Sequence, residues 1–212
     1  LTRHLPPDVG DVSTTLDLTL QRRVEHLVRR QLAALRARDA TNAAVLVVDN
    51  ATREILAWVG SGGFDDAQHD GQVDGVLALR QPGSTLKPFT YAVAFEQGRT
   101  AATIVPDIET RYSMTDGRTF VPRNYDQRLH GPVRMREALA SSLNVSAIRV
   151  ASWVTPETLL QRLRLAGLRS LDQDAQHYGL GLTVGNGEVS LLELVGAYVT
   201  LARGGEYRPL VA

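Results

Sequence analysis

The stretch QPGSTLKPF, residues 81 to 89, contains the only lysine among the 23 lysine and arginine residues of this 212-residue chain. The Pro-Gly pair before Ser84 predicts a break in the chain, and residues 85 to 97 then have the pattern of a helix. Pro88 has no N–H for the carbonyl of Ser84, so regular helical bonding must begin at or after Ser84. The sequence therefore predicts that Ser84 lies at a helix N-terminus.

Lys87 follows Ser84 by three residues, which places the two side chains on one helix face and within reach of each other. An isolated Ser-x-x-Lys is common, and its ordinary interpretation is an N-capping serine near a surface lysine. A single lysine in a chain whose other basic residues are arginines favours a role for Lys87 as a general base. A buried lysine can lose its proton, whereas arginine cannot. A neutral amine can activate a serine hydroxyl, and a helix N-terminus can stabilise an oxyanion. The pair therefore indicates acyl transfer.

A second polar pair, Ser142 and Asn144, interrupts the helical pattern of the later part of the chain. Serine and asparagine compete for backbone hydrogen bonds, so this pair predicts the break between two helices. Taken alone, helix capping explains it. Asn144-Val-Ser146 and Asn50-Ala-Thr52 also fit the acceptor pattern for N-glycosylation, which has meaning only in a eukaryotic secretory protein.

Composition and charge argue against several kinds of partner. The chain is 43% hydrophobic and 22% charged with a formal net charge of zero, so no global field attracts nucleic acid or an anionic membrane. It has no cysteine, which removes disulfides and thiolate chemistry. Asp65, Asp66, His69 and Asp70 match no calcium-loop spacing, and a solvated loop is the preferred interpretation. We predict no metal, no cofactor and no membrane contact in this segment.

Periodicity predicts an α/β (α+β) fold in which an antiparallel sheet is flanked by helices. Residues 1 to 14 are rich in proline, glycine and aspartate and predict a linker from an upstream domain. Residues 18 to 38 predict an amphipathic helix, whose arginines are interpreted as a solvated face. Residues 44 to 60 predict a hairpin that turns at Asp49-Asn50 and begins the sheet.

The remainder is predicted to be mainly helical, with an irregular polar stretch from about Pro106 to His130. Ser190 and Glu193 have the spacing of a capping box, which predicts the start of a last helix. Gly204-Gly205 predicts its end.

Ser84-x-x-Lys87 followed by Ser142-x-Asn144 resembles the transpeptidase domain of class A penicillin-binding proteins. STTLDLTLQRRVE is similar to the family's start of this domain, RQPGSTLKPF to its nucleophile segment, and GNGEVSLLELVGAYVTLARGG to its helix downstream of the second motif. YDQRLHGPVRMREALASSLN is similar to the 1C subgroup. The resemblance covers nearly the whole chain and implies the fold shared by penicillin-binding proteins and serine β-lactamases.

The resemblance also implies roles for the four residues. Ser84 would be the acylated nucleophile and Lys87 its base, Ser142 would relay a proton to the leaving amine, and Asn144 would bind the peptide amide. The implied substrates are peptidoglycan stem peptides, which lose a terminal D-alanine and pass their acyl group to the amine of a neighbouring strand. β-Lactam antibiotics would acylate the same serine. An upstream glycosyltransferase domain and a membrane anchor are implied, with this region in the periplasm or otherwise outside the cell membrane.

One departure from the family pattern is the third motif, because the sequence contains no Lys-Thr-Gly, Arg-Thr-Gly or His-Thr-Gly. In the family the strand that carries this motif supplies a second backbone N–H to the oxyanion and an edge along which the peptide lies. We therefore expect residues 15 to 212 to be the N-terminal portion of a transpeptidase domain that lacks this strand and is weak or inactive by itself. Two alternatives stay open: a D,D-carboxypeptidase or serine β-lactamase, and a non-catalytic module that binds cell-wall peptide or a divisome partner.

Overall fold

The computed structural model describes residues 12–113, 117 and 119–212, so most of the linker predicted over residues 1 to 14 lies outside the described residues. The helices and strands, in chain order, are α1 (Leu18–Leu35), β1 (Val45–Val48), β2 (Ile55–Val59), α2 (Lys87–Glu96), β3 (Ile104–Asp107), β4 (Tyr112–Ser113), β5 (Thr119–Phe120), β6 (Gly131–Arg134), α3 (Met135–Ala140), α4 (Asn144–Val154), α5 (Pro156–Leu165), α6 (Ala175–Tyr178) and α7 (Leu191–Ala202). Short 3-10 helices occupy Arg36–Arg38, Ala67–His69, Gly83–Leu86 and Gly179–Val184.

The chain divides into two compact units. One contains the chain up to Leu79 together with Ser190–Ala212, and the other is Arg80–Val189. No helix in the described part of either unit is both long and apolar enough to cross a bilayer.

The first unit contains the predicted hairpin, in which β1 and β2 pair antiparallel. Every second residue of β2 is buried, as expected for a strand with one face on a core. Asp49 shapes the turn, because its Oδ1 accepts the N–H groups of Ala51 and Thr52 at 2.8 Å each. The turn continues to Arg53, which has φ 68°, and is therefore longer than the predicted Asp49-Asn50 turn.

The two α-helices that the structure describes in this unit, α1 and α7, begin where the sequence predicts. Asp17 caps α1, its Oδ1 accepting the N–H of Leu20 at 2.9 Å. Ser190 and Glu193 form both hydrogen bonds of a capping box at the start of α7, each 3.2 Å long. The two predictions are confirmed.

The hairpin leaves one side of β1 open. In the part of the chain that the structure describes, β1 pairs with β2 alone. Residues 46 to 48 of β1 and the apolar side chains of α7, including Leu191, Leu194 and Tyr198, line an open groove. The N–H and C=O groups on this side of β1 therefore have no strand partner among the described residues.

The second unit is built around α4, which packs against α2, α5 and β3. Most of α4 is buried, including Val145, Ile148 and Val154. Apolar side chains from the flanking elements surround it, and Leu86, Tyr91, Met135 and Leu163 are all fully buried. This burial holds both ends of α4 in place, including the N-terminal end that carries Asn144.

The strands of the second unit were not predicted. β3 pairs with β6 in a register that sets Pro106 opposite Pro132, and β4 pairs with β5. The prediction of an irregular stretch from Pro106 to His130 was therefore wrong for β4, β5 and the end of β3. The predicted fold class is confirmed, but the described residues form three two-stranded antiparallel sheets rather than one.

Candidate active site

Ser84 lies in a tight 3-10 turn, Gly83–Leu86, that leads directly into α2. The Ser84 carbonyl accepts the N–H of Lys87, an i to i+3 bond. The i+4 bond of an α-helix is unavailable to this carbonyl because Pro88 has no N–H. Ser84 is exposed, while Leu86 and Lys87 beneath it are buried. Neither the 3-10 turn nor α2 has a side-chain cap, so Ser84 is not the N-cap that its ordinary interpretation required.

A close backbone approach fixes the position of this turn. Gly185 follows the 3-10 helix Gly179–Val184, has φ +78°, and lies against Gly83. A Cβ atom at Gly185 would lie 2.3 Å from the nitrogen and 2.4 Å from the carbonyl oxygen of Gly83, far closer than atoms can pack. The residue before Ser84 can therefore take its position only if residue 185 has no side chain.

Lys87 points away from solvent, with 1% of its surface exposed. Its Nζ donates to Asn144 Oδ1 at 2.7 Å, to Ser142 O at 2.6 Å and to Ser142 Oγ at 3.0 Å. Burial lowers the pKa of Lys87 to about 8, because water no longer solvates the ammonium group. A substantial fraction of the amine is therefore neutral slightly above neutral pH.

No hydrogen bond joins Ser84 Oγ to Lys87 Nζ among the residues that the structure describes. In the ammonium form the nitrogen has no lone pair, and all three of its protons are directed at the second motif, so none faces Ser84. Loss of one proton frees a lone pair on the amine. Hydrogen bonds between a nucleophile and its base are often long before substrate is bound, so this geometry is compatible with a base.

Ser142 has a backbone conformation that residues with a Cβ atom seldom adopt, with φ 52°. It lies just past the end of α3, and the N–H groups of Ser142 and Leu143 close that helix through the carbonyls of Leu139 and Ala138. Glycine is the usual residue at this position, since the left-handed conformation costs about 1–2 kcal/mol for other residues. Here the same residue offers both a carbonyl and a hydroxyl to Lys87, which is a function that glycine could not perform.

Asn144 is the first residue of α4, and its side chain does not cap that helix. Its Oδ1 accepts the bond from Lys87, and its Nδ2 donates to the carbonyl of Arg123 at 3.0 Å. The capping is done by Asn124, whose Oδ1 accepts the N–H of Asn144 at 2.8 Å and of Val145 at 3.1 Å. The capping interpretation of the Ser-x-Asn pair is therefore wrong for Asn144.

Sequence reasoning missed Asn124. It lies in the stretch predicted to be irregular, twenty residues before the helix that it caps, and no periodicity or short motif marks it. The structure thus brings three of the predicted residues, Lys87, Ser142 and Asn144, into one hydrogen-bonded group, with Ser84 one turn before Lys87 on the exposed side.

Comparison with known proteins identifies the family of the chain. The family described as penicillin-binding protein transpeptidase domain matches residues 43–211 of the chain. The chain belongs to this family. The transpeptidase domain is 35% identical to penicillin-binding protein 1C of Escherichia coli strain K12, over 92% of this chain and 24% of that protein. It is 36% identical to penicillin-binding protein 1A of Aquifex aeolicus, over 76% of this chain and 22% of that protein. The chain spans about a quarter of the length of these curated relatives.

Solved structures show the same fold. Penicillin-binding protein 1A from Haemophilus influenzae superposes with a TM-score of 0.72 at 27% identity, over 80% of this transpeptidase domain and 25% of that chain. Penicillin-binding protein PonA1 from Mycobacterium tuberculosis superposes with a TM-score of 0.73 at 25% identity, over 95% of this domain and 52% of that chain. The family resemblance seen in the sequence is thereby confirmed, and penicillin-binding protein 1C is among the relatives.

Proposed function

We propose that Ser84 is the acylated nucleophile of a serine D,D-transpeptidase that cross-links peptidoglycan stem peptides. In this proposal Lys87 is the base, Ser142 relays a proton to the leaving amine, and Asn144 binds the amide of the peptide. The proposal rests mainly on the buried Lys87 amine, which hydrogen-bonds to both polar residues of the second motif while Ser84 lies exposed one turn away.

The chemistry proceeds in two steps. The neutral Lys87 amine takes the proton of the Ser84 hydroxyl, and Ser84 Oγ bonds to the carbonyl carbon of the penultimate D-alanine. The bond from that carbon to the terminal D-alanine nitrogen breaks, and the proton on Lys87 reaches the leaving nitrogen through Ser142 Oγ. An amine of a neighbouring strand then attacks the ester carbonyl carbon and forms the new amide bond. The bond from that carbon to Ser84 Oγ breaks, and the proton that the amine loses passes through the same groups to Ser84 Oγ. A β-lactam would open on Ser84 by the first step, with the ring nitrogen as leaving group.

Covalent labelling of the full-length protein tests the nucleophile. A fluorescent penicillin is expected to label the wild-type protein stoichiometrically, and Ser84→Ala should remove the label completely because alanine has no hydroxyl to acylate. Ser141→Ala, a change at an exposed serine beside the second motif, is the matched control and should label like the wild type. Intact-mass and peptide mapping would locate the adduct, and a label at another residue, or an unaffected Ser84→Ala variant, would overturn the assignment.

The same assay separates the alternatives. Rapid hydrolysis of the labelled protein would indicate a carboxypeptidase or β-lactamase. Binding of stem peptide that Ser84→Ala leaves unchanged, with no label on the full-length protein, would indicate a non-catalytic module.

The 212-residue chain alone should label weakly or not at all, because it has no Lys-Thr-Gly and loss of one oxyanion donor typically costs about a hundred- to a thousand-fold in rate.

The rate of acylation is expected to depend on the ionisation of Lys87. Only the neutral amine can accept a proton, and burial lowers its pKa to about 8. Below that pH the second-order rate constant for labelling should rise about tenfold per pH unit, and above it the constant should level off. Stopped-flow or quenched labelling of the full-length protein between pH 6 and 10 measures this profile. A rate constant that does not change between pH 6 and 8 would exclude Lys87 as the base.

The setting of the reaction follows from the same proposal. The full-length protein would carry a glycosyltransferase domain upstream and a membrane anchor, and it would present this domain to peptidoglycan in the periplasm, or otherwise on the outer face of the cell membrane. Stem peptides and β-lactam antibiotics would be its ligands. The homologues are bacterial penicillin-binding proteins, which supports this setting.

A further inference from the structure

Two polar side chains that the mechanism does not use are buried beside the start of α4. Asp107, at the end of β3, is fully buried, and Asn124 is 3% exposed. Buried polar groups are costly unless they are hydrogen-bonded, and here each is bonded several times. Asn124 Nδ2 donates to Asp107 Oδ2 and to the carbonyl of Arg128, both at 2.8 Å. Asp107 Oδ2 also accepts the backbone N–H of His130 at 2.9 Å and lies 2.7 Å from the ring nitrogen Nδ1 of the same residue.

These bonds allow one orientation of the Asn124 amide. The amide nitrogen must face the Asp107 carboxylate, because two oxygens there would have no proton to share. The amide oxygen therefore faces the N-terminus of α4, where it accepts the N–H groups of Asn144 and Val145. The buried Asp107 carboxylate thus determines that the oxygen of the Asn124 amide, rather than its nitrogen, faces the N-terminus of α4.

Asn144 is held at two points by one dipeptide. Its backbone N–H bonds to Asn124 Oδ1 at 2.8 Å, and its side-chain Nδ2 bonds to the carbonyl of Arg123 at 3.0 Å. With Nδ2 held in this way, Oδ1 is the only atom of the Asn144 amide left to face Lys87, and it accepts the Lys87 proton at 2.7 Å. The Asn144 amide, which hydrogen-bonds to the Lys87 amine, is therefore oriented by Arg123 and Asn124, two residues that belong to none of the three family motifs.

We propose that Asn124 is a positioning residue for acylation, which ties the N-terminus of α4 to Asp107 and so aims Asn144 Oδ1 at the Lys87 amine. This inference rests on the proposed function, since it assumes that Lys87 is the base. It adds a fifth residue, supported by a buried carboxylate, to the four that the sequence motifs supply.

Removal of the Asn124 amide has two expected effects on the full-length protein. Asn124→Ala should lower the maximal rate constant for penicillin labelling by about tenfold or more, because Asn144 and Lys87 lose their fixed geometry. It should also move the midpoint of the pH profile downward by about one unit. The reason is that a hydrogen bond to the charged ammonium favours the protonated form, and weakening that bond favours the neutral amine.

A matched control separates positioning from simple loss of stability. Ser146 lies on the same helix, is fully buried, and donates to the other oxygen of Asp107 at 3.3 Å, but the structure of the described residues shows no hydrogen bond between it and Asn144. Ser146→Ala should lower the melting temperature slightly and leave the midpoint of the pH profile unchanged. Asn124→Ser provides a second variant should Asn124→Ala fail to fold, because serine is also a favoured N-cap residue but lacks the second polar atom with which the Asn124 amide bridges α4 and Asp107.

The outcomes distinguish the two proposals. A wild-type protein that is not labelled at Ser84 would overturn the proposed function itself. A labelled wild type, with Asn124→Ala and Asn124→Ser that keep its rate constant and pH midpoint, would overturn the positioning role alone. A lower melting temperature in these variants without a shift of the midpoint would assign Asn124 a purely structural role and also contradict the inference.

Discussion

Replacement of Lys87 by arginine is expected to lower the rate constant for penicillin acylation of the full-length protein by about a hundred- to ten-thousand-fold, the range typical of a lost general base. Arginine keeps its positive charge and could still donate to Ser142 and Asn144, but it cannot give up its proton at any pH at which the protein is folded. The expected loss therefore isolates the proton-accepting role from the hydrogen-bonding role. Quenched labelling at pH 8 to 10 would measure it.

Lys87→Met is the companion change. It removes both the charge and the amine while nearly preserving the volume of the buried side chain, so folding should be retained and can be checked by the melting temperature. Both variants should be about equally slow if Lys87 acts as a base. A Lys87→Arg rate constant within about threefold of the wild type, together with a slow Lys87→Met, would show that only the positive charge matters and would remove Lys87 as the base.

Gly185→Ala is expected to lower the rate constant for acylation by about a hundredfold, although residue 185 lies far from Ser84 in the sequence. The new Cβ atom would lie 2.3 Å from the Gly83 nitrogen, so the backbone before Ser84 must move. Displacement of a nucleophile by about 1 Å can cost about a hundredfold in rate. Labelling kinetics of the full-length variant would measure the loss, and a thermal melt would report any accompanying destabilisation.

Gly98→Ala is the matched control for that change. Gly98 also has a positive φ, +87°, but a Cβ atom there would meet nothing within 4 Å. Alanine at this position should therefore cost about 1–2 kcal/mol of stability through backbone strain and leave the rate constant for acylation unchanged. Equal losses of rate in the two variants would mean that strain alone, rather than contact with Gly83, explains the effect of Gly185→Ala.

Features with a local cause were predictable from the sequence. The turn at Ser84 follows from Pro88, which removes one backbone donor at a known distance. The start of α7 follows from Ser190 and Glu193, which satisfy each other's backbone groups. The break between α3 and α4 was predicted from the polar residues at its centre. In each case the physical cause acts over three or four residues and can be read directly from the chain.

Features that depend on distant residues were missed. β3 and β6 each contain a proline, and Pro106 faces Pro132 across the pair, so neither strand has the alternation that marks a strand in sequence. Asn124 caps a helix that begins twenty residues later. The orientation of its amide is set by Asp107, which lies seventeen residues earlier. The bonds from the Lys87 amine to the second motif likewise join residues more than fifty positions apart. Local patterns carry no information about such pairs.

The side of β1 that has no strand partner among the described residues has a practical consequence for work with the 212-residue chain by itself. A strand with unpaired backbone groups beside an apolar groove can pair with the equivalent strand of another copy, and natural proteins usually cover or charge such strands to prevent this. Solutions of the isolated chain would therefore be prone to association that increases with concentration. Assays and spectroscopy on that material are best run dilute, with light scattering to monitor the size of the particles.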